Sequence, residues 1–129
     1  MSGYSINIEE KAFENENFRE VLYTAPHSQL VVMAIGPGEE IGTETHEDRD
    51  QFIRVEEGEG VAILDGKRYP LEDGTALVIP AGTEHNVINT SNRDKLRLYT
   101  VYSPPEHPAG TIHRTKAEAD AYAETHHHE

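Results

Sequence analysis

Gly74-Thr75-Ala76-Leu77-Val78-Ile79-Pro80-Ala81-Gly82-Thr83-Glu84-His85-Asn86-Val87-Ile88-Asn89 is the stretch that decides the fold. Asp73-Gly74 reads as a turn. Thr75 to Ile79 is short and apolar with β-branched residues, so it reads as a strand that ends at Pro80. Pro80-Ala81-Gly82-Thr83 is a second turn, in which proline and glycine supply backbone shape. His85 to Asn89 follows as a strand entering at a sharp angle, with Val87 on the same face as His85. Asn89 is expected to satisfy backbone groups near the end of the barrel.

The same rhythm continues in both directions. Val21 to Thr24 and Gln29 to Ile35 read as strands, and Gly36-Pro37-Gly38 stops the second. Ile41 to His46 is a short strand, Glu47-Asp48-Arg49-Asp50 a polar turn, and Gln51 to Glu57 the return strand. Beyond Gly58-Glu59-Gly60, the runs Val61 to Leu64 and Lys67 to Leu71 flank Asp65-Gly66, a two-residue hairpin signal in which both turn positions need positive φ. Leu96 to Tyr102 is the last long strand, stopped by Pro104-Pro105. Residues 1–20 are weakly patterned, with Asn15-Glu16-Asn17-Phe18-Arg19 a loop carrying one buried aromatic. Thr115 to Glu124 is rich in Ala and Glu and predicts a short surface helix with Thr115 as N-cap. About ten short strands, with turn signals every ~8–12 residues, define an all-β sandwich or barrel. No linker or internal repeat interrupts residues 1–129, so one domain is expected.

Composition narrows the partners. The chain has 129 residues, 36% hydrophobic and 27% charged, with 24 acids against 11 bases and a net charge of −13. Nucleic acid and anionic membrane surfaces both call for a basic face, so neither is an expected partner. The absence of cysteine excludes disulfides and thiolate ligands. Met1 to Glu10 lacks the basic and apolar regions of a signal peptide, and no apolar run approaches ~18 residues; a cytoplasmic location is the expectation. His126-His127-His128 is a separate cluster able to bind metal adventitiously.

Four residues carry the chemistry: Glu44, His46, Gln51 and His85. Side chains two apart on a strand share a face, so Glu44 and His46 project together. Gln51 begins the return strand and shares its face with Ile53 and Val55. With that face inward, Gln51 comes beside His46, and His85 arrives from the later strand. Two imidazoles and one carboxylate suit one divalent ion of Fe, Mn, Ni, Cu or Zn. Gln51 either ligates weakly through its amide oxygen or orients His46 or a metal-bound water. Glu47 and Asp48 are rival carboxylates, but they fall in a turn and are expected to face water.

At this point the chain resembles the small single-domain cupins. The second motif of that superfamily, Gly-x5-Pro-x-Gly-x2-His-x3-Asn, is matched by Gly74, Pro80, Gly82, His85 and Asn89. The first, Gly-x5-His-x-His-x(3,4)-Glu-x6-Gly, corresponds to the run ending Glu44-Thr45-His46, then Gln51 and Gly58. Glu44 stands where the first histidine usually is, and Gln51 where the glutamate usually is, so one carboxylate is kept but moved. The resemblance covers roughly residues 30–103. Asn17-Phe18-Arg19, Gly38-Glu39-Glu40-Ile41-Gly42 and Pro104-Pro105-Glu106-His107 also look like the small cupins labelled phosphomannose-isomerase-like. It implies a double-stranded β-helix (jelly-roll) barrel holding a metal. No basic cluster fitted to grip a sugar phosphate accompanies that likeness.

Two classes of function follow. One is a metalloenzyme acting on a small polar molecule, either dioxygenase-type or sugar isomerase/epimerase-type. Tyr102 and His107 are then the candidates to move a proton, with Tyr99 and His113 as further residues near the cavity mouth. The other is a metal-dependent binding module without turnover. Packing on the last strand is the plainer expectation for the tyrosines, and a surface position in a Pro-rich segment for the two histidines. Arg54, on the face opposite Gln51, is expected in a salt bridge or a dimer contact, and Arg19 is a candidate anion contact. Exposed strand edges at Val21–Thr24 and Gln29–Ile35 predict a homodimer paired across a two-fold axis.

Overall fold

The computed structural model describes residues 2–126 and contains nine strands and two helices. They are α1 (Ile8–Glu14), β1 (Arg19–Thr24), β2 (Gln29–Ile35), β3 (Asp50–Glu57), β4 (Gly60–Leu64), β5 (Lys67–Leu71), β6 (Ala76–Ile79), β7 (His85–Asn89), β8 (Leu96–Ser103), β9 (Ile112–His113) and α2 (Lys116–His126). A six-stranded sheet runs β6-β3-β8-β2-β1-β9, and a three-stranded sheet runs β5-β4-β7. Their inner faces share one core: Val31, Met33, Ile35, Ile53, Val55 and Leu98 from the large sheet meet Ala62, Leu64, Leu71 and Val87 from the small one.

Alternation builds that core and also makes one end of it polar. On β3, Gln51, Ile53 and Val55 are buried while their neighbours are not; on β8 the same holds for Leu96, Leu98, Thr100 and Tyr102. Antiparallel register then sets Gln29, Tyr102 and Gln51 side by side across β2, β8 and β3. The inner face therefore passes from aliphatic side chains to three polar ones within a few rungs. Asp65-Gly66 forms the expected hairpin, with φ of 48° and 84°. Asn89 ties the opposite end together, its Nδ2 donating to the carbonyls of Ile35, Gly36 and Asp94.

Several expectations are corrected. Ile41 to His46 is not a regular strand; the segment around it has only two isolated β-bridges to β7, Glu40–Ile88 and Glu44–His85. Gly42, at φ 110°, turns the backbone out of the ladder, and its N–H goes to Asn86 Oδ1 at 2.9 Å. The N-terminal segment contains a helix, α1, capped by Asn7 Oδ1 on the Glu10 N–H. It buries only Ala12, so it carries no apolar stripe from which a helix could be read. β2 is no edge strand, because it pairs with β1 on one side and β8 on the other. β9 pairs with β1 only at Arg19 and Glu20, so it covers the start of that strand and not Val21–Thr24.

The C-terminal helix agrees with its reading. Thr115 Oγ1 accepts from the Glu118 N–H at 3.0 Å, an N-cap bond. Among the described residues no helix is long and apolar enough to cross a membrane. His127 and His128 of the histidine cluster lie outside the described residues.

Candidate metal centre

The backbone brings Glu44 and His85 together. Each donates its N–H to the other's carbonyl at 2.9 Å, a closed pair that points both side chains the same way. The Pro80–Thr83 turn fastens the third residue, since the Gly82 N–H donates to the His46 carbonyl at 2.8 Å. That turn is held by Asp50 Oδ1, which accepts from the Ala81 N–H. As a result one ligand atom each from Glu44, His46 and His85 lies within 4.8 Å of the others.

Tautomers follow from the partners. His85 Nδ1 lies 2.8 Å from the Thr83 carbonyl, which can only accept, so Nδ1 carries a hydrogen and Nε2 is the nitrogen whose lone pair the neutral ring offers. That Nε2 is buried, makes no hydrogen bond, and faces Glu44 Oε1 at 4.0 Å. His46 Nε2 lies 3.4 Å from the same Oε1. On the far side of the ring, His46 Nδ1 is 3.6 Å from Glu106 Oε1. Donors about 2.1 Å from one metal, in adjacent positions, stand roughly 3 Å apart. The two carboxylate–imidazole separations, 3.4 and 4.0 Å, exceed that by roughly an ångström or less.

The donor set fits a divalent ion. A buried imidazole nitrogen without a partner costs about 1–3 kcal/mol, and a cation removes that cost. Gln51 supplies a second such atom: its Nε2 donates to Thr100 Oγ1 at 3.0 Å, while its buried Oε1 makes no hydrogen bond. Burial pushes the Glu44 carboxyl up, but the adjacent His46, with Arg19 and His85, outweighs this and holds it below the usual carboxylate range. Glu44 is therefore an anion at neutral pH, ready to ligate. The rival Glu47 and Asp48 are exposed, as expected.

Residues outside the four support them. Glu106 has a side chain only 3% exposed, held by Arg49 Nη1 at 2.8 Å and set behind His46. Gln29 fixes the segment carrying it. Its Oε1 accepts from the N–H groups of Glu106 and His107 at 3.1 and 3.0 Å, and its Nε2 donates to the His107 carbonyl at 2.6 Å. Sequence reading missed both roles. Glu106 follows two prolines and looks like one more surface acid, and Gln29 looks like the polar end of a strand. The available signal was a Gln on the inward alternation of β2.

The remaining candidates separate. Tyr102 is buried on the inner face, its ring edge-on to His46 at 6.1 Å and to His107 at 5.2 Å. Burial pushes its hydroxyl well above the ordinary phenol range, so at neutral pH it acts as a hydrogen-bond donor and not as a base. His107 and His113 are buried, correcting their placement in a surface segment. Tyr99 is half-buried on the outer face, away from the site. Arg54 pairs loosely with Glu56 at 3.8 Å. A cavity of about 80 Å³ opens on Glu44, bounded by Arg19, His107 and His113 and roofed by Ala119 of α2. A much larger open groove of about 860 Å³, lined by Asp73, Asp94 and Lys95, contains none of the ligand residues.

Fold and site together define a class. The cupin domain family matches residues 31–102, and the chain belongs to that family. The crystal structure of BH2720 from Bacillus halodurans superimposes with a TM-score of 0.90 at 45% identity, covering 93% of this chain and 95% of that one. The uncharacterized protein YrkC of Bacillus subtilis is 44% identical over 124 residues, 92% of this chain and 66% of that protein, so the present chain spans just under two thirds of its length. Quercetin 2,3-dioxygenase of the same bacterium is 36% identical over 73 residues, 57% of this chain but only 22% of that enzyme.

Proposed function

We propose that this cupin is a metal-dependent enzyme acting on a small polar molecule, with Glu44 Oε1, His46 Nε2 and His85 Nε2 as ligands and Gln51 Oε1 as a weaker fourth. The observation that carries it is the convergence of those three donor atoms within 4.8 Å in a buried setting. A divalent ion bound there would polarise substrate oxygens and lower the pKa of coordinated water.

The chain's own groups prepare that site. Thr83 fixes the His85 tautomer and Glu106 faces the rear nitrogen of His46, so both rings are aimed before any ligand arrives. Gln51 is oriented by Thr100. Tyr102, a protonated phenol beside His46, can donate a hydrogen bond, and His107 beside it is the group able to accept or return a proton. The likeness to quercetin 2,3-dioxygenase supports the dioxygenase form over the isomerase form. A binding module without turnover is the second reading, favoured by the neutral Gln51 in the ligand set. Association as a homodimer belongs to the same proposal. With β2 paired on both sides, the surfaces that support this are the Val21–Thr24 edge of β1 and the outer face of the large sheet, where Val78 is 63% exposed opposite Phe52.

Metal content of the chain purified without nickel resin, and truncated before His126, tests the reading directly. Near-stoichiometric metal that disappears in His85→Ala and falls in Glu44→Gln is expected; equal metal in all three proteins would overturn it. Oxygen uptake by the Fe(II)-loaded protein, against anaerobic turnover with Mn(II), separates the two enzymatic forms.

A further inference from the structure

Two bridges fasten the segment before His46 to β7, and they are out of step. Glu40 and Glu44 are four residues apart, but their partners Ile88 and His85 are three apart. The backbone bonds agree. Glu44 and His85 exchange N–H and carbonyl, whereas further along the Ile41 N–H donates to Val87 and the Asn89 N–H to Glu39, each at 2.9 Å. One residue is therefore extra on this side, which makes a β-bulge. Gly42 sits in it at φ 110°, a conformation that favours a residue without Cβ. A slip of one residue exchanges the two faces of a strand. Continuing the register of Glu40–Ile88 would leave Glu44 on the outer face with Glu40. Across the bulge, Ile41 packs on the core, and Ile41 and Glu44 both line the cavity of about 80 Å³ beside the candidate metal centre.

Asn86 holds that bulge, and it is 7% exposed. Its Oδ1 accepts from the Gly42 N–H at 2.9 Å, the amide that the bulge takes out of the ladder, and from the Val87 N–H at 2.8 Å. Its Nδ2 donates to Glu40 Oε1 at 2.9 Å. The amide oxygen has two lone pairs for the two N–H groups, and the amide nitrogen supplies the donor. An aspartate would set two carboxylates against each other, and an apolar residue would leave the Gly42 amide without its acceptor. We propose that Asn86 is a positioning residue for Glu44: it clamps the bulge and so turns the Glu44 carboxylate toward His46 and His85. The assignment rests on the metal reading above. Without the clamp, a return to the regular ladder takes either Ile41 out of the core or Glu44 out of the site.

Zn(II) affinity from chelator competition, and amide hydrogen exchange in EDTA, test this. Asn86→Ala should weaken Zn(II) roughly tenfold to a hundredfold. In the Glu44→Ala background the same change should cost less than about threefold, because a residue acting through Glu44 has nothing left to position. A merely structural loss would be carried over in full. The metal-free Asn86→Ala chain should lose about tenfold in exchange protection at the Glu44 N–H, with the β2–β8 ladder unchanged. Asn86→Asp keeps both acceptances and loses the donation to Glu40, so it should weaken Zn(II) as well. Adding Glu40→Gln returns a donor from the other side and should restore affinity to within about threefold; this pair serves if Asn86→Ala does not fold. Equal losses in both backgrounds, unchanged exchange at Glu44, or no rescue by Glu40→Gln would overturn the proposal. A wild-type chain that binds no metal, or Glu44→Ala with unaltered affinity, would instead sink the metal reading, and exchange at Glu44 would then decide the clamp alone.

Discussion

Glu106→Gln is expected to loosen the metal without removing a ligand. The substitution keeps shape and hydrogen-bonding capacity and deletes one charge. In the structure that charge faces His46 Nδ1 at 3.6 Å and Arg49 Nη1 at 2.8 Å, in a side chain 3% exposed. A carboxylate behind a ligating imidazole raises its basicity and fixes its orientation. Losing such a partner costs about 10–100-fold in metal affinity, or roughly 1.4–2.7 kcal/mol. A second cost falls on the metal-free protein. Breaking a fully buried ion pair costs about 3–5 kcal/mol, but Arg49 is part-exposed and retains Asp48 at 2.9 Å and the Pro105 carbonyl. A smaller cost of about 2 kcal/mol then applies, a fall in Tm of roughly 6–10 °C for a chain of this size. Metal affinity from competition with a chromophoric chelator, and Tm in EDTA, read the two effects separately. Affinity within twofold of wild type, whatever the Tm, would refute the positioning role. Glu16→Gln is the control, an exposed acid pairing with Lys95 and Arg97 far from the ligands.

Other outcomes follow from the same geometry. Gln29→Ala removes a buried amide that holds residues 106 and 107 through three hydrogen bonds. It should cost about 2–4 kcal/mol in chemical denaturation and weaken metal binding as well; a fully stable variant would remove Gln29 from the account. Gln51→Glu converts a neutral oxygen donor into an anionic one and should tighten Mn(II) about tenfold, whereas weaker binding would mean that Oε1 points elsewhere. The pH dependence of the metal-free chain is signed. Glu44 has its folded pKa below the ordinary 4.5, so its contribution is present above that value and is lost as pH falls through the folded value. The Tm gap between wild type and Glu44→Gln in EDTA should therefore close in acid, and a gap that widens there contradicts the sign. Val78→Glu places a charge on the exposed outer face and should shift a dimer to monomer in sedimentation; a monomeric wild type ends that idea.

Local chemistry made much of this legible in the chain alone. Gly74, Pro80, Gly82, His85 and Asn89 impose a strand, a turn and a strand through backbone constraints that act within a few residues. Asp65-Gly66 specifies its hairpin the same way. Period-two alternation on β3 and β8 reads out which side chains face the core, including Gln51 and Tyr102. Glu44, His46 and His85 were nameable as a candidate group from the Glu-x-His spacing and the turn that precedes His85, and the structure brings one donor atom of each within 4.8 Å of the others. What the chain could not disclose depends on distant segments meeting. Glu106 becomes buried only because Gln29, seventy-odd residues earlier, captures its backbone. His107 and His113 look like surface residues until β9 and α2 fold over Arg19. The break at Gly42 depends on Asn86 taking its amide, a bond no local pattern encodes. The candidate donor residues were thus written in short-range periodicity and turn chemistry. The charge environment around the candidate site was decided by long-range packing, because burial and Coulomb interaction depend on separation in space and not along the chain.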